Sequence, residues 1–189
     1  MPSQVLRLPN YKPRQNLPLV SSRKRAESNF VTAFARAYTE SASQRGIGGR
    51  EFQLSGFGIA DFVWLAWQHS TSKADASAMS LEKIKSCLLL QKLTAFEMKM
   101  TDWRKGLAQA YRYSYFADLA IVVLPPEAAR TAKAELKLFR RLGVGLWTFD
   151  KTTGRIRKLF VPRNSKPRNT SAKKKAIESL GRFIKFSKF

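Results

Sequence analysis

Residues 93–103, LTAFEMKMTDW, combine an apolar, strand-like run with two opposite charges. Residues two positions apart on a β-strand project from the same face, roughly 7 Å apart, so Glu97 and Lys99 should lie side by side. Phe96 and Met98 would then fill the opposite face. A carboxylate left alone in a covered sheet costs several kcal/mol. The stretch therefore predicts that Glu97 is paired or that it binds a cation.

A second acidic residue interrupts a strand upstream. Residues 56–67, GFGIADFVWLAW, are apolar on both faces, which is typical of a central strand covered on both sides. Asp61 is the one charge in this run, and alternation places it on the face of Ile59. If Asp61 and Glu97 meet at one sheet edge, they form a divalent-cation site with Lys99 beside it. The alternative is a Glu97–Lys99 ion pair on a half-exposed face, with Asp61 capping a turn.

These residue types suit the hydrolysis of phosphodiesters. Hard oxygen ligands hold Mg²⁺, which takes one or two carboxylates and keeps several waters. The metal polarises the phosphodiester and lowers the pKa of a bound water. A lysine can orient or deprotonate the attacking water, or offset developing charge. The chain has a single histidine, His69, and a single cysteine, Cys87, which argues against His-rich sites, cysteine-based zinc sites and an internal disulfide.

The charge balance predicts a polyanionic partner. The 189 residues carry 35 Lys and Arg against 13 Asp and Glu, a formal net charge of +22. Residues 1–26 hold six basic and no acidic residues, and residues 151–189 hold thirteen basic residues and one acidic. Basic arms thus flank a nearly balanced middle, and release of counterions from phosphates is the favoured use of this charge.

The hydrophobic patterns predict an α/β domain. Helices are expected at 27–42, 102–118, about 127–143 and 172–187, and strands at 50–55, 56–67, 93–100, 119–125, 144–150 and 155–161. The glycines of RGIGG, 45–49, are interpreted as a turn. The order indicates a mixed central sheet flanked by helices on both sides. The expected division is a proline-containing basic arm (1–26), a core (27–163, with an insertion at 68–92) and a basic linker with a C-terminal helix (164–189).

The segment 27–150 resembles the PD-(D/E)XK nuclease superfamily, which has the restriction-endonuclease-like fold. The resemblance rests on Asp61 in GIADFV, Glu97 and Lys99 in FEMK, and Gln109 and Tyr113 in QAYRY. The last pair resembles the Q-x-x-x-Y motif of the exonuclease-like and resolvase-like branches. The sequence departs from the family pattern in having Ala60 where a proline precedes the first aspartate, and in the 36-residue gap between the two carboxylates.

The resemblance implies a role for each matching residue. Asp61, Glu97 and the backbone carbonyl of Met98 would hold one or two Mg²⁺ ions, for which Mn²⁺ can substitute. Lys99 would position the nucleophilic water, and Gln109 would support Lys99 or reach a phosphate.

Two positions leave alternatives open. Glu27, on the first helix, matches the place of an additional acidic residue near the metal, but the helix macrodipole explains it equally well. Glu51 and Asp75 are alternatives for the first carboxylate. We prefer Asp61, since Asp75 lies in a loop-like stretch.

The expected function is Mg²⁺-dependent cleavage of DNA, with endonuclease action favoured over exonuclease action. Nucleic-acid contacts are predicted for Arg104, Lys105, Arg112, Tyr113, Lys173, Lys174 and Lys175. Expected partners are DNA and either a second copy in a homodimer or a larger protein complex. The sequence contains no glycine-rich loop followed by G-K-[ST], so no nucleotide cofactor is expected. No apolar run reaches membrane-spanning length, so a cytoplasmic protein without a membrane partner is expected.

The same sequence features are compatible with two rival functions. One is a non-enzymatic basic protein that binds RNA or shapes nucleic acid. The other is a scaffold subunit, active only within a larger complex.

Overall fold

One mixed β-sheet organises the described part of the chain, which in this computed structural model comprises residues 22–44, 46–66, 91–163 and 166–185. Its strands, which lie side by side in chain order, are β1 (Gly46–Leu54), β2 (Gly58–Ala66), β3 (Lys92–Met98), β4 (Leu119–Leu124), β5 (Gly145–Asp150) and β6 (Arg155–Phe160). Strands β1 to β3 pair antiparallel, β3 to β5 pair parallel, and β6 returns antiparallel to β5. The carboxyl ends of β3, β4 and β5 therefore share one edge.

Helices cover both faces of the sheet, which confirms the α/β class. The described helices are α1 (Ser22–Ser41), α2 (Trp103–Tyr113), α3 (Ala128–Ala134), α4 (Leu136–Leu142) and α5 (Thr170–Lys185). Helix α1 packs on one face through Phe30 and Phe34, whereas α2 to α5 contribute to the core on the other. None of the described helices has the length and apolar character needed to cross a membrane.

The predicted alternation along the central strands is confirmed. Phe96 and Met98 of β3 belong to the cluster under α1, and Leu93 and Ala95 belong to the cluster under α2. Glu97 therefore projects toward α2. Ile59 was expected on a covered face, but it lies at the open end of β2 and is 51% exposed.

The glycine-rich stretch 45–49 was predicted to be a turn, and this is wrong. Strand β1 already begins at Gly46. A Cβ on Gly46 would lie 2.5 Å from the ring of Trp64, and one on Gly48 would lie 2.8 Å from the ring of Phe62. The absence of a side chain at these glycines lets the rings of Trp64 and Phe62 pack closely against β1.

Two helix predictions also need correction. The single helix expected over about 127–143 is divided between α3 and α4 at Glu135, whose φ of −100° and ψ of 25° are not helical. Helix α1 starts at Ser22, inside the stretch expected to be an extended arm. Of the predicted insertion, residues 68–90 lie outside the described residues, as do residues 1–21 of the arm.

The C-terminal helix packs against the main core. Its residues Ala172, Ala176, Ile177 and Leu180 are buried in the cluster under α2. The chain leading to it is held by backbone hydrogen bonds, among them one of 3.0 Å from the N–H of Arg168 to the carbonyl of Ser114. Helix α5 is therefore integrated into the same body as the sheet.

Candidate active site

Asp61 and Glu97 face each other where the ladder between β2 and β3 ends. The last backbone pair of this ladder is Phe62 with Phe96, and the two acidic residues occupy the next position on each strand. There a side chain replaces the backbone as hydrogen-bond acceptor: Oδ2 of Asp61 accepts a hydrogen bond of 2.7 Å from the N–H of Met98. Like charges directly opposed across an antiparallel pair are destabilising. The fold thus holds two carboxylates together at a cost.

Glu97 is the most deeply buried member of the site, at 1% exposure. Its Oε1 accepts a short hydrogen bond from Nζ of Lys99, with which it also forms an ion pair. Its Oε2 lies 2.6 Å from the hydroxyl of Tyr113, on the last turn of α2. The same hydroxyl lies 2.5 Å from the backbone carbonyl of Ile59. Helix α2 thereby fixes the carboxylate from above while β3 carries it.

The hydroxyl of Tyr113 reveals the protonation state that this geometry favours. It has one hydrogen but two oxygen neighbours, the carbonyl of Ile59 and Oε2 of Glu97. A carbonyl can only accept a hydrogen bond. Both contacts are satisfied when Tyr113 donates to Ile59 and a protonated Glu97 carboxyl donates to Tyr113. The arrangement therefore favours a proton on Glu97 when no cation is bound.

Electrostatics lead to the same conclusion. Burial, reinforced by the charge of Asp61, raises the pKa of Glu97 to about 7, and the attraction of Lys99 only partly opposes this. Burial also raises the pKa of Asp61, although the hydrogen bond from Met98 and the charge of Lys99 act in the opposite direction. Two carboxyl groups that resist ionisation side by side are a setting in which a divalent cation is favourable.

Lys99 is held as a cation. Burial alone would lower its pKa, but the attraction of Glu97 and Asp61 outweighs this and the pKa is raised above its usual value. Its backbone N–H donates to the carbonyl of Val123 at 3.2 Å, which ties the end of β3 to β4. Its side chain runs over Gly106 of α2, where a Cβ would lie 3.1 Å from Cγ of Lys99. A glycine at this helix position leaves the lysine its path to Glu97.

The donor set fits Mg²⁺. Asp61 and Glu97 supply two carboxylates, the number that this ion takes from a protein while keeping several waters. Gln109, one turn before Tyr113 on α2, has a buried Oε1 without a hydrogen-bond partner, whereas most buried polar groups have one. Glu27 and Glu51 lie close enough to raise the pKa of Asp61, although by less than burial does.

The described residues contain no larger cluster of metal-ligating side chains than the pair of Asp61 and Glu97. Among the described residues, no three or more His, Cys, Asp or Glu side chains come together as a set of metal ligands. Glu51, the alternative first carboxylate, is exposed on β1 with a φ of 52°, and Asp75 lies outside the described residues.

The residues predicted to bind nucleic acid occupy different settings. Arg104, Lys105 and Arg112 are exposed along α2. Tyr113 is fully buried, so its hydroxyl serves Glu97 and its ring has no surface on which a base could stack. Lys174 and Lys175 are exposed on α5.

Lys173 is already engaged within the protein. Its Nζ lies 2.7 Å from Oδ2 of Asp118 and 2.9 Å from the carbonyl of Gln91. Asp118 in turn accepts a hydrogen bond of 2.7 Å from the N–H of Leu93. This network joins α5 to the beginning of β3, a role that the run of three lysines did not indicate.

Sequence reasoning missed four other cationic residues. Arg130 and Lys133 of α3, together with Arg155 and Arg157 of β6, line one groove beside the carboxyl end of β5. The alternation of two arginines in RIRK, 155–158, was the available signal, since residues two apart share a face of a strand. Without the sheet order, nothing in the sequence placed them on one side of the sheet.

Comparison with known proteins gives no match, since no family model, no curated protein and no solved structure is significantly similar to this chain.

Proposed function

We propose that the protein is a Mg²⁺-dependent nuclease that hydrolyses phosphodiester bonds in DNA, acting as an endonuclease. The observation that carries this proposal is the cluster of Asp61, Glu97 and Lys99 at the end of the ladder between β2 and β3. A protein that only binds nucleic acid gains nothing from two opposed carboxylates in a covered sheet, because they repel phosphate and destabilise the fold.

The metal would be held by Asp61, Glu97 and the backbone carbonyl of Met98. When bound, Mg²⁺ supplies a Lewis acid that polarises the phosphodiester and a water whose pKa is lowered. Glu97 must first give up the proton that its burial favours. Tyr113 then donates its single hydrogen either to Glu97 or to Ile59, which keeps the carboxylate oriented from the α2 side.

Lys99 acts in this scheme as a positive charge. Because its pKa is raised, it carries its proton at neutral pH and cannot take one from water. Its ammonium group instead donates hydrogen bonds, which can orient the attacking water or offset the charge that develops on the phosphate. The partner-free Oε1 of Gln109 is available to accept a hydrogen bond from a bound water.

The fold supports the same proposal. The order α1-β1-β2-β3-α2-β4 accompanies a cluster of both carboxylates and the lysine at the end of the ladder between β2 and β3, and it is the sequence of elements that the resemblance to the PD-(D/E)XK superfamily implies. The specific restriction-endonuclease-like fold is part of this proposal. DNA is the proposed substrate because the net charge of +22 suits a phosphate backbone.

The test is cleavage of linear, supercoiled, single-stranded and branched DNA in Mg²⁺, Mn²⁺ or EDTA. The informative variant is Lys99→Met, which keeps the stem of the side chain but removes its charge. The matched control is Lys92→Met, the same substitution at the exposed beginning of the same strand.

We expect metal-dependent cutting by the wild type and by Lys92→Met, and a loss of at least 100-fold in Lys99→Met. DNA binding in EDTA should be retained by all three proteins. Tight binding without cutting under any metal would refute the proposal and favour a non-enzymatic binder or a scaffold subunit. Equal cutting by both variants would refute the role of Lys99.

A further inference from the structure

A basic groove lies beside the carboxyl end of β5. It has a volume of about 440 Å³ and is lined on one side by Arg130 and Lys133 of α3, and on the other by Arg155 and Arg157 of β6, with Thr148 at its base. Each of the four cationic residues is exposed. Among the described residues, none of their side chains makes an ion pair or a hydrogen bond within the protein.

The one carboxylate in the groove does not neutralise these cations. Asp150 directs its oxygens into the turn between β5 and β6, where Oδ1 accepts from the N–H of Thr152 at 2.9 Å and Oδ2 accepts from the hydroxyl of Thr153 at 2.8 Å. These hydrogen bonds lower its pKa, so Asp150 stays ionised and structural. Four cations against one engaged anion leave the groove strongly positive.

The register of the sheet aligns this groove with Lys99. Met98 of β3 pairs with Val123 of β4, so the next residue of each strand brings Lys99 level with Leu124. Leu124 pairs with Thr148 of β5, which pairs with Arg157 of β6. Lys99 and Arg157 thus stand in one row across the sheet, separated by three strand spacings, or about 14 Å. Paired positions project to the same face, so both side chains lie on the α2 and α3 side.

This separation matches a polyanionic chain that runs across the carboxyl edge of the sheet. A DNA strand rises about 3.4 Å per nucleotide along the helix axis and also winds around it, so a straight separation of about 14 Å spans roughly two or three nucleotide steps. If the groove binds one backbone phosphate, another phosphate of the same duplex can lie at Lys99, where it would be cleaved. Backbone phosphates position a duplex without reading its sequence.

We infer that the groove of Arg130, Lys133, Arg155 and Arg157 binds the phosphate backbone of duplex DNA roughly two or three nucleotides from the bond that is cut. This inference rests on the proposed function, because it takes DNA as the substrate. It gives the enzyme a second anchoring point, independent of the metal and of the basic residues on α2 and α5.

The experiment measures the affinity of the full-length protein for a labelled 20-base-pair duplex in EDTA, across a range of salt concentrations. Two groove variants are used: Arg155→Gln with Arg157→Gln, and Arg130→Gln with Lys133→Gln. The control is Lys137→Gln with Arg141→Gln, which removes the same charge from two exposed residues of α4 that do not line the groove. Thermal melting of each protein checks that it is folded.

Each groove variant should reduce the slope of log affinity against log salt by about one for every phosphate that it no longer binds. Each lost phosphate contact lowers the slope by about 0.9. The ratio of wild-type to variant affinity should therefore be roughly eight-fold larger at 0.1 M salt than at 1 M salt. The control should leave the slope near the wild-type value. Slopes that fall equally in the control and in both groove variants would overturn the inference.

The choice of duplex DNA is tested with the same proteins. Wild-type binding that is tighter for single-stranded RNA or for anionic phospholipid vesicles, with the same dependence on the groove, would overturn DNA as the partner. Because binding is measured in EDTA, the result does not depend on catalysis. If the groove binds DNA but the protein cuts no substrate, the proposed nuclease activity is refuted and the inference about the groove stands. If the protein cuts DNA with a metal but the groove variants leave the slope unchanged, only the inference about the groove is refuted.

Discussion

Replacing Glu97 by glutamine is expected to stabilise the metal-free protein at alkaline pH. The pKa of Glu97 rises from 4.5 to about 7 on folding, chiefly because of burial and secondly because of Asp61. An acid whose pKa is raised in the folded state contributes its full stability below the unfolded pKa, and this is lost as pH rises through the folded pKa. Ionised Glu97 should therefore cost roughly 3 kcal/mol above pH 8.

Glutamine reproduces the hydrogen bonds of the protonated acid. Its Oε1 can accept from Lys99, and its amide can donate to the oxygen of Tyr113, whose hydroxyl then donates to Ile59. The Glu97→Gln variant should therefore match the wild type near pH 4.5 and exceed it in free energy of unfolding by a margin that grows to roughly 3 kcal/mol above pH 8.

The assay is urea unfolding in EDTA at several values between pH 4.5 and 8.5. Glu135→Gln, an exposed acidic residue between α3 and α4, is the matched control and should show no such pH-dependent gain. Addition of Mg²⁺ at pH 8.5 should stabilise the wild type but not Glu97→Gln, because the ion binds the native carboxylate. A constant difference between Glu97→Gln and wild type across this pH range would refute the protonation argument.

Two further substitutions separate structural from functional roles. Gly106→Ala places a Cβ 3.1 Å from Cγ of Lys99, so cleavage should fall at least ten-fold while the melting temperature changes little, since alanine also favours the helix by about 1 kcal/mol. Retained cleavage would show that Lys99 has another path to Glu97. Lys173→Met breaks a partly buried ion pair with Asp118 and should lower the free energy of unfolding by about 2 kcal/mol, measured by urea unfolding. Lys174→Met, at an exposed neighbour, should reduce DNA affinity without that loss.

The faces of the strand residues 93–98 could be predicted from the sequence, whereas contacts between distant segments could not. Period-two alternation alone placed Glu97 and Lys99 opposite Phe96 and Met98, and the two hydrophobic clusters confirm this division. The order of elements followed from patterns within single segments. Both depend on local periodicity, which survives folding because each strand exposes two distinct faces.

The errors arose where a residue's neighbour is distant in sequence. The glycine-rich stretch 45–49 suggested a turn because the rings that lie on Gly46 and Gly48 belong to another strand, β2. Lys173 looked like a solvent-exposed ligand for phosphate because its partner Asp118 is 55 residues away. The position of Arg157 could be related to Lys99 only once the sheet order placed the two residues in one row across the sheet. Tertiary contacts of this kind carry no signal in the local pattern of one chain.

The charges at the site explain why a destabilising cluster can be retained. With a proton on Glu97, the negative Asp61 and the positive Lys99 cancel, and the buried site is neutral. Exchanging that proton for a divalent cation leaves two carboxylates, one ammonium group and two metal charges, so the site becomes positive by one unit. The cation thus relieves the repulsion between the carboxylates and makes the site attractive to a phosphodiester. The pair of buried acids that weakens the metal-free fold would thus restrict phosphate binding at the sheet edge to the metal-bound protein. The proposed basic groove would bind the duplex with or without the metal.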